Sequence, residues 1–486
     1  MTYALVAVAV LLGQAPAPTP PKEDLPPPNF SSRGIPDPMV PPNETGLPLL
    51  SLDVALTQAR TRNLDLKAAV ARYEAAKEII WKTSSGYLPQ LAVQGSYQRN
   101  NVGAAFAAPE GLYIREGVSE TQFYPPPPPN LPGTIPATPL TVVPQYSKIV
   151  VQEQNQWNGQ IGGSQTILNL SLIASIRAST LTARAAEFNL ANTQRQILFG
   201  VAQQYYSAAG LRRAAEVQAQ QLEIETYREK DAQVRFSAGS VNKIFLLSAQ
   251  IGKTQAEQNL RASRYAYASS KSALAVLLER SPDFEVELPP DPVLPADLEK
   301  LEDIAPMKRP DVLALKTQAE AAGASATSVW FSYLPTVRFS GAYLLTNATG
   351  FTGLQNSWYY NIGLNWTLFD GGLREASLRE AQANERAAVA SAQSLDLQSK
   401  EQVRSAQLAL QSARANREKA AEQVRLAREN LALIKINTEA GAATYLEQQD
   451  AISALNQAEL LLIQETLNAQ LGVLALENAA GIFDPQ

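Results

Sequence analysis

The chain contains no cysteine and no histidine. Disulfides, thiolate nucleophiles, iron–sulfur ligation, histidine-bearing zinc sites and histidine general bases are thereby excluded. Carboxylate-only metal sites would remain, but no calcium-loop signature accompanies the acids, and no glycine loop of the phosphate-cradling kind occurs. With no carboxylate pair set in a plausible cleft, an enzyme is the last reading to choose, and no cofactor is expected. Basic blocks are missing as well. The 41 Lys and Arg stand against 46 Asp and Glu, a net charge of −5, so no nucleic-acid partner is expected. Nor does any segment reach about 18 consecutive apolar residues, which leaves no transmembrane helix. A chain of this kind could cross a membrane only as a closed barrel, because open strand edges are not tolerated in lipid.

The first residues do carry a short apolar run, Tyr3 to Leu12, followed by Gly13-Gln14-Ala15. Its length suits a signal-peptide core, which assigns residues 1–15 to export although no Lys or Arg precedes the run. No cysteine follows it to take a lipid. Residues 16–47 are proline-rich and read as an extended surface tract.

Among the residues present, the stretch Tyr359 to Gly441 organises the rest. In YYNIGLNWTLFDGG, Tyr360, Ile362, Leu364, Trp366 and Leu368 alternate with Asn361, Gly363, Asn365 and Thr367. A period of two puts apolar groups on one face of a strand. Asp370, Gly371 and Gly372 end it, and from Leu373 to Asn437 there is neither proline nor glycine. Val403, Ala406, Leu410, Ala413, Arg417, Ala420, Val424, Ala427, Leu431 and Ile434 follow a 3,4 spacing broken in character only by Arg417. A helix of about 65 residues rises on the order of 100 Å. A strand apolar on one side that feeds such a rod calls for two environments.

The pattern occurs twice. Asp65…Tyr87-Leu88-Pro89…Gly95-Ser96-Tyr97 lies over Asp311…Tyr333-Leu334-Pro335…Gly341-Ala342-Tyr343, and Ala238-Gly239 lies over Ala440-Gly441. The duplication divides the chain into a first repeat, 48–288, a linker, 289–296, and a second repeat, 297–482. Expected strands fall near 88–98 and 157–168, then 335–346 and 358–369. Long helices are expected over about 170–238 and 241–280, then 372–438 and 443–480. Residues 99–156, dense in proline between Tyr124 and Pro144, read as an irregular external loop.

Four strands of about ten residues cannot close a barrel, but three chains would supply an even twelve. Tyr97, Tyr343, Tyr360 and Trp366 would then stand on the apolar face as membrane-interface aromatics. An ordinary half-buried sheet is the competing reading for any one strand. The heptad stripe on its own reads as a coiled-coil dimer or bundle core, and the alternative for the whole chain is a periplasmic coiled-coil scaffold or adaptor without a channel.

The elements SLDVAL near the start, the paired YLP turns at Tyr87 and Tyr333, GLNWTLFDGGLREA at Gly363–Ala376, and the hinges RFSAGSVNKIFLLSAQ and INTEAGAATYLEQQDA resemble the outer-membrane efflux proteins of Gram-negative bacteria, the TolC family. That resemblance covers roughly residues 48–482. It implies long helical hairpins plus four transmembrane strands per chain, trimers with a twelve-stranded barrel, and a periplasmic α-helical barrel continuing it in the outer membrane. It further implies a passive exit duct of a tripartite efflux pump or a type I secretion system. A periplasmic adaptor and an inner-membrane transporter of the RND, ABC or MFS type would open it. By the same resemblance the adaptor meets the helical tips, here Arg235, Ala238, Gly239, Ser240 and Val241, and Ala440, Gly441, Ala442 and Ala443. A tight turn between helices needs a glycine in any case, so the tips can also be read as turns alone.

The resemblance also places a ring of acids at the periplasmic mouth, on Glu447 and Asp450. Positions i and i+3 share a helix face, so three chains would bring six carboxylates around one pore, favouring cations. The other reading is two solvated surface acids. Two departures stand out: glutamate occupies 447 where aspartate is common in the family, and Ala443 stands where some members carry an arginine.

Overall fold

The computed structural model describes residues 46–116, 140–295, 298–348, 354–440 and 442–483. The expected signal segment and proline tract, most of the Tyr124–Pro144 stretch, and Gly441 lie outside the described residues. The chain forms two compact units. Among the described residues, one gathers those within 46–77, 181–320 and 386–483, and the other those within 78–180 and 321–385.

In chain order the elements are β1 (Leu49–Leu50), α1 (Leu52–Arg62), α2 (Leu64–Ser84), β2 (Gln90–Arg99), β3 (Ala104–Glu116), β4 (Leu140–Gln152), β5 (Asn155–Leu168), α3 (Leu170–Ser237), α4 (Lys243–Leu277) and β6 (Glu285–Val286). They continue with α5 (Leu301–Lys308), α6 (Pro310–Phe331), β7 (Thr336–Thr346), β8 (Asn356–Asn365), α7 (Leu373–Glu439) and α8 (Tyr445–Ala480). The sequence helix–helix–strand–strand–long helix–long helix occurs twice, with β3 and β4 inserted in its first pass.

The strand-bearing unit holds a four-stranded antiparallel sheet, ordered β2-β5-β7-β8. Its register runs across all four strands, as Val93 pairs with Ile161, Ile161 with Tyr343, and Tyr343 with Trp358, with one shift between Thr166 and Leu168 at the end of β5. Directly opposed residues share a face. Stretch 99–156 is not the irregular loop its prolines suggested, for β3 and β4 pair antiparallel within it. Proline is tolerated in a two-stranded ribbon because both strands are edges. Pro109 marks a register shift in the ladder. Strand β8 ends at Asn365, so Trp366 lies beyond the strand rather than on it. Its indole Nε1 instead donates to the Tyr333 carbonyl at 3.0 Å. On the helices of this unit, Ser171 and Ser175 of α3 and Ser328 of α6 meet through their hydroxyls at 3.0 and 2.7 Å. Only small side chains let two helix axes approach that closely.

The helical unit buries the heptad stripe of α7. Val403, Leu410, Ala420 and Val424 are all buried, and Ser399 and Ala392 continue the stripe toward the N-terminus. The exception, Arg417, reaches Asp291 at 2.9 Å. The largest core gathers around β1 and β6, which pair in parallel. Tyr205 is fully buried there, with its hydroxyl 2.8 Å from the Leu50 carbonyl and 2.9 Å from that of Glu287. Burial pushes this phenol well above its ordinary range. Beside it Glu285 accepts from Tyr267 at 2.6 Å and from Lys271 at 2.9 Å. A buried charge is tolerated only when paired and hydrogen-bonded in this way.

Candidate functional site

The sheet has two faces of opposite character. Leu91, Val93 and Tyr97, then Trp157 and Ile161, Phe339 and Tyr343, and Trp358, Tyr360, Ile362 and Leu364 all fall on one face by register. Every one of these large apolar side chains is exposed, among them Leu91 at 82 % and Tyr360 at 69 %. Glycines and Gln165 lie between them on this face, and Arg99 and Asn155 stand at one end of it, yet so many exposed apolar side chains spread over four strands exceed the scatter normal for a soluble monomer. Of the four aromatics singled out from sequence, Tyr97, Tyr343 and Tyr360 share this face, and Trp366 lies outside the strand. The other face carries amides and hydroxyls such as Gln94, Gln160, Ser340 and Asn361, with Leu344 and Tyr359 as its larger apolar members. Strands β2 and β8 end the sheet with one edge each unpaired among the described residues.

The helical tips lie in the other unit. The turn between α3 and α4 passes through Gly239 at φ +72°, a left-handed conformation that glycine adopts without steric cost. The Ser240 amide and hydroxyl both donate to the Arg235 carbonyl at 2.9 Å, closing the helix end. Arg235 itself pairs with Asp231 at 2.8 Å on the exposed surface. Helix α4 starts at Lys243, with the Asn242 side chain accepting from the Phe245 amide at 2.9 Å. Val241 is therefore part of the turn, not the first helical residue. At the second tip the Ala442 and Ala443 amides both donate to the Asn437 carbonyl, at 2.7 and 3.2 Å.

Helix α8 begins with a reciprocal cap. The Glu447 carboxylate accepts from the Thr444 amide at 2.7 Å and from the Thr444 hydroxyl at 2.9 Å, and that hydroxyl accepts from the Glu447 amide. The Thr444 backbone bond, then its hydroxyl, holds the Glu447 carboxyl below the usual glutamate range. The two acids singled out from sequence thus differ. Glu447 is committed to its own helix start, while Asp450, one turn on, stands exposed. The S/T-x-x-E spacing of Thr444 and Glu447 is the signal that sequence reading passed over.

A second feature went unread. Glu225 is buried at 1 % exposure and pairs with Arg228 at 3.1 Å. Gln221 donates to the same carboxylate at 3.1 Å. Arg228 also donates to Gln449 of α8 and lies over the Tyr445 ring, 4.8 Å from its centroid. Tyr445 in turn packs on Phe245 of α4, ring centroids 4.3 Å apart. Desolvation raises the Tyr445 phenol above its ordinary value. Three helices are joined here by one buried charge pair. Gly252 completes the seat, since a Cβ there would come within 2.8 Å of the Glu225 carboxylate. On one side of the junction a cavity of about 890 Å³ is lined by amides including Gln218, Gln255 and Asn456. On the other lies one of about 970 Å³, lined by Asp231, Lys435 and Tyr445. Among the described residues no group of acids is clustered to hold a metal ion, and no helix is long and apolar enough to cross a membrane.

A sheet with an exposed apolar face and two edges unpaired among the described residues, in a chain that also holds long helical hairpins, defines a membrane β-sheet protein with a helical part. The outer membrane efflux protein family matches residues 55–279 and 303–482, and the chain belongs to that family. Members are outer-membrane transport channels, which favours the channel over the scaffold reading. Outer membrane protein OprJ of Pseudomonas aeruginosa is 27 % identical over 318 residues, spanning 63 % of this chain and 64 % of that protein. Among solved structures, VceC of Vibrio cholerae superposes with a TM-score of 0.69 at 19 % identity, covering 88 % of this chain and 96 % of that one. The open-state MtrE channel of Neisseria gonorrhoeae gives 0.67 at 18 % identity, covering 88 % of each chain. At these identities the likeness to both structures is one of fold.

Proposed function

We propose that this protein is the outer-membrane exit duct of a tripartite efflux pump. Three copies join through the open edges of β2 and β8 into a closed twelve-stranded barrel, and their long helices line a periplasmic passage. The duct is passive. A periplasmic adaptor engages the tips at Arg235, Gly239, Ser240 and Val241, and at Gly441, Ala442 and Ala443, and an inner-membrane transporter supplies the energy. A type I secretion system would use the same parts.

The observation that carries this reading is the set of exposed, mostly apolar side chains that the register gathers on one face across four strands, opposite a polar face. Closure removes the unpaired edges that lipid would not tolerate, and it leaves apolar groups toward acyl chains and amides toward water. The acidic ring at the mouth rests mainly on Asp450, with Glu447 partly withdrawn by its cap. The test is extraction and conductance. The protein should need detergent for release from outer membranes, migrate as a trimer, and conduct ions in a planar bilayer. A water-soluble monomer without conductance would refute the reading and favour a scaffold.

A further inference from the structure

The polar face of the sheet holds a single charge. Across β2, β5, β7 and β8 its positions are amides, hydroxyls, small residues, Leu344 and Tyr359, with Arg338 as the lone charged residue. Arg338 is exposed, two residues in from the start of β7. Its partners in register are Thr166 on β5 and Gly363 on β8, neither of which can cover or neutralise a guanidinium. No acid stands on this face in any of the four strands. Asp370, five residues past the end of β8, is paired with Arg374 at 2.7 Å.

We propose that Arg338, present once per copy, forms a cationic ring on the inner wall of the barrel and gives this part of the duct a local preference for anionic solutes. The inference rests on the duct reading above. A ring of like charges in a pore sets the local concentration of counter-charged solute. The planar fork of an arginine side chain matches carboxylate, phosphate and sulfonate groups. The surrounding amides and hydroxyls add sites for neutral hydrogen bonding without opposing that charge. The solute class favoured at this level is therefore one bearing such an anionic group.

The absence of native cysteine makes the local potential measurable. Ser340→Cys places one thiol on the same face, roughly 7 Å from Arg338 along the strand. Its rates with a sulfonate-bearing and a trimethylammonium-bearing methanethiosulfonate are compared in the membrane-embedded trimer, each relative to a free thiol. The anionic-to-cationic rate ratio should fall about threefold when Arg338→Gln is added, given Coulomb attraction at that distance and salt screening. Arg338→Lys should keep it. A ratio unmoved by Arg338→Gln overturns the proposal and leaves the duct reading intact. If neither reagent reaches the thiol until the protein is denatured, the duct reading itself fails. Should Arg338→Gln not assemble, the Ser340→Cys ratio is compared with that of Gln98→Cys, at the far end of β2. Equal ratios at the two positions would also overturn the proposal.

Discussion

The Thr444 hydroxyl and the Glu447 carboxylate are 2.9 Å apart, and each also bonds the other residue's backbone amide. This reciprocal cap fixes the start of α8 at the residue after Thr444. It also determines how much of the acidic pair is left for a pore.

Thr444→Ala should therefore destabilise the tip of α8 by about 1 kcal/mol, the usual cost of losing a side-chain cap. Amide hydrogen exchange over the first turn of α8 would report the loss as faster exchange there, with the α3–α4 turn unchanged. The pH dependence follows from the lowered Glu447 pKa. A carboxylate held below its ordinary value of 4.5 stabilises the fold fully above that value. The contribution is lost as the pH falls through the folded-state value. Protection of this turn should be constant near neutrality and decline below about pH 4.5. Glu447→Gln should remove the decline.

Ion selectivity should separate the two acids. Asp450→Asn is expected to lower the cation-to-anion permeability ratio by more than Glu447→Gln, because the Glu447 charge is partly turned to its own helix start. Zero-current potentials in a salt gradient measure this. No effect from Asp450→Asn would remove Asp450 from the pore, and equal effects from the two changes would show that the cap does not withdraw the Glu447 charge.

The buried pair near the tips predicts asymmetric losses. Glu225→Ala leaves Arg228 buried without its carboxylate and should cost about 3 kcal/mol. Replacing both by apolar residues of similar size should cost less than the single change. Gly252→Ala must displace the Glu225 carboxylate, because its Cβ would lie 2.8 Å from the nearer oxygen. A cost of about 1–3 kcal/mol follows, as for other overpacked sites. Thermal unfolding of the detergent-solubilised protein measures all three.

These residues also show what a sequence discloses. The stripe from Val403 to Ile434 could be read because a long helix repeats one local rule at every turn, and the buried positions follow it. The four principal strands could be read because alternation of apolar and polar residues is equally local. Strands β3 and β4 were missed because Pro109 and Pro144 argue locally against a strand, while a two-stranded ribbon tolerates them. Arg417 looked like a flaw in the stripe, and its reason is Asp291, in a distant connection. The Arg228–Gln449 contact joins residues 221 positions apart, and no local periodicity announces such a partner. The register that places Arg338 alone on the polar face likewise needs all four strands at once.

The most direct measurement uses the cysteine-free background and four single variants: Gln160→Cys, Ile161→Cys, Asn361→Cys and Ile362→Cys. In intact membranes a hydrophilic, membrane-impermeant maleimide should label Gln160→Cys and Asn361→Cys. Ile161→Cys and Ile362→Cys should react only with a lipid-soluble maleimide. Uniform labelling of all four by the hydrophilic reagent, or the reverse alternation, would contradict a sheet with lipid on one side and an aqueous duct on the other.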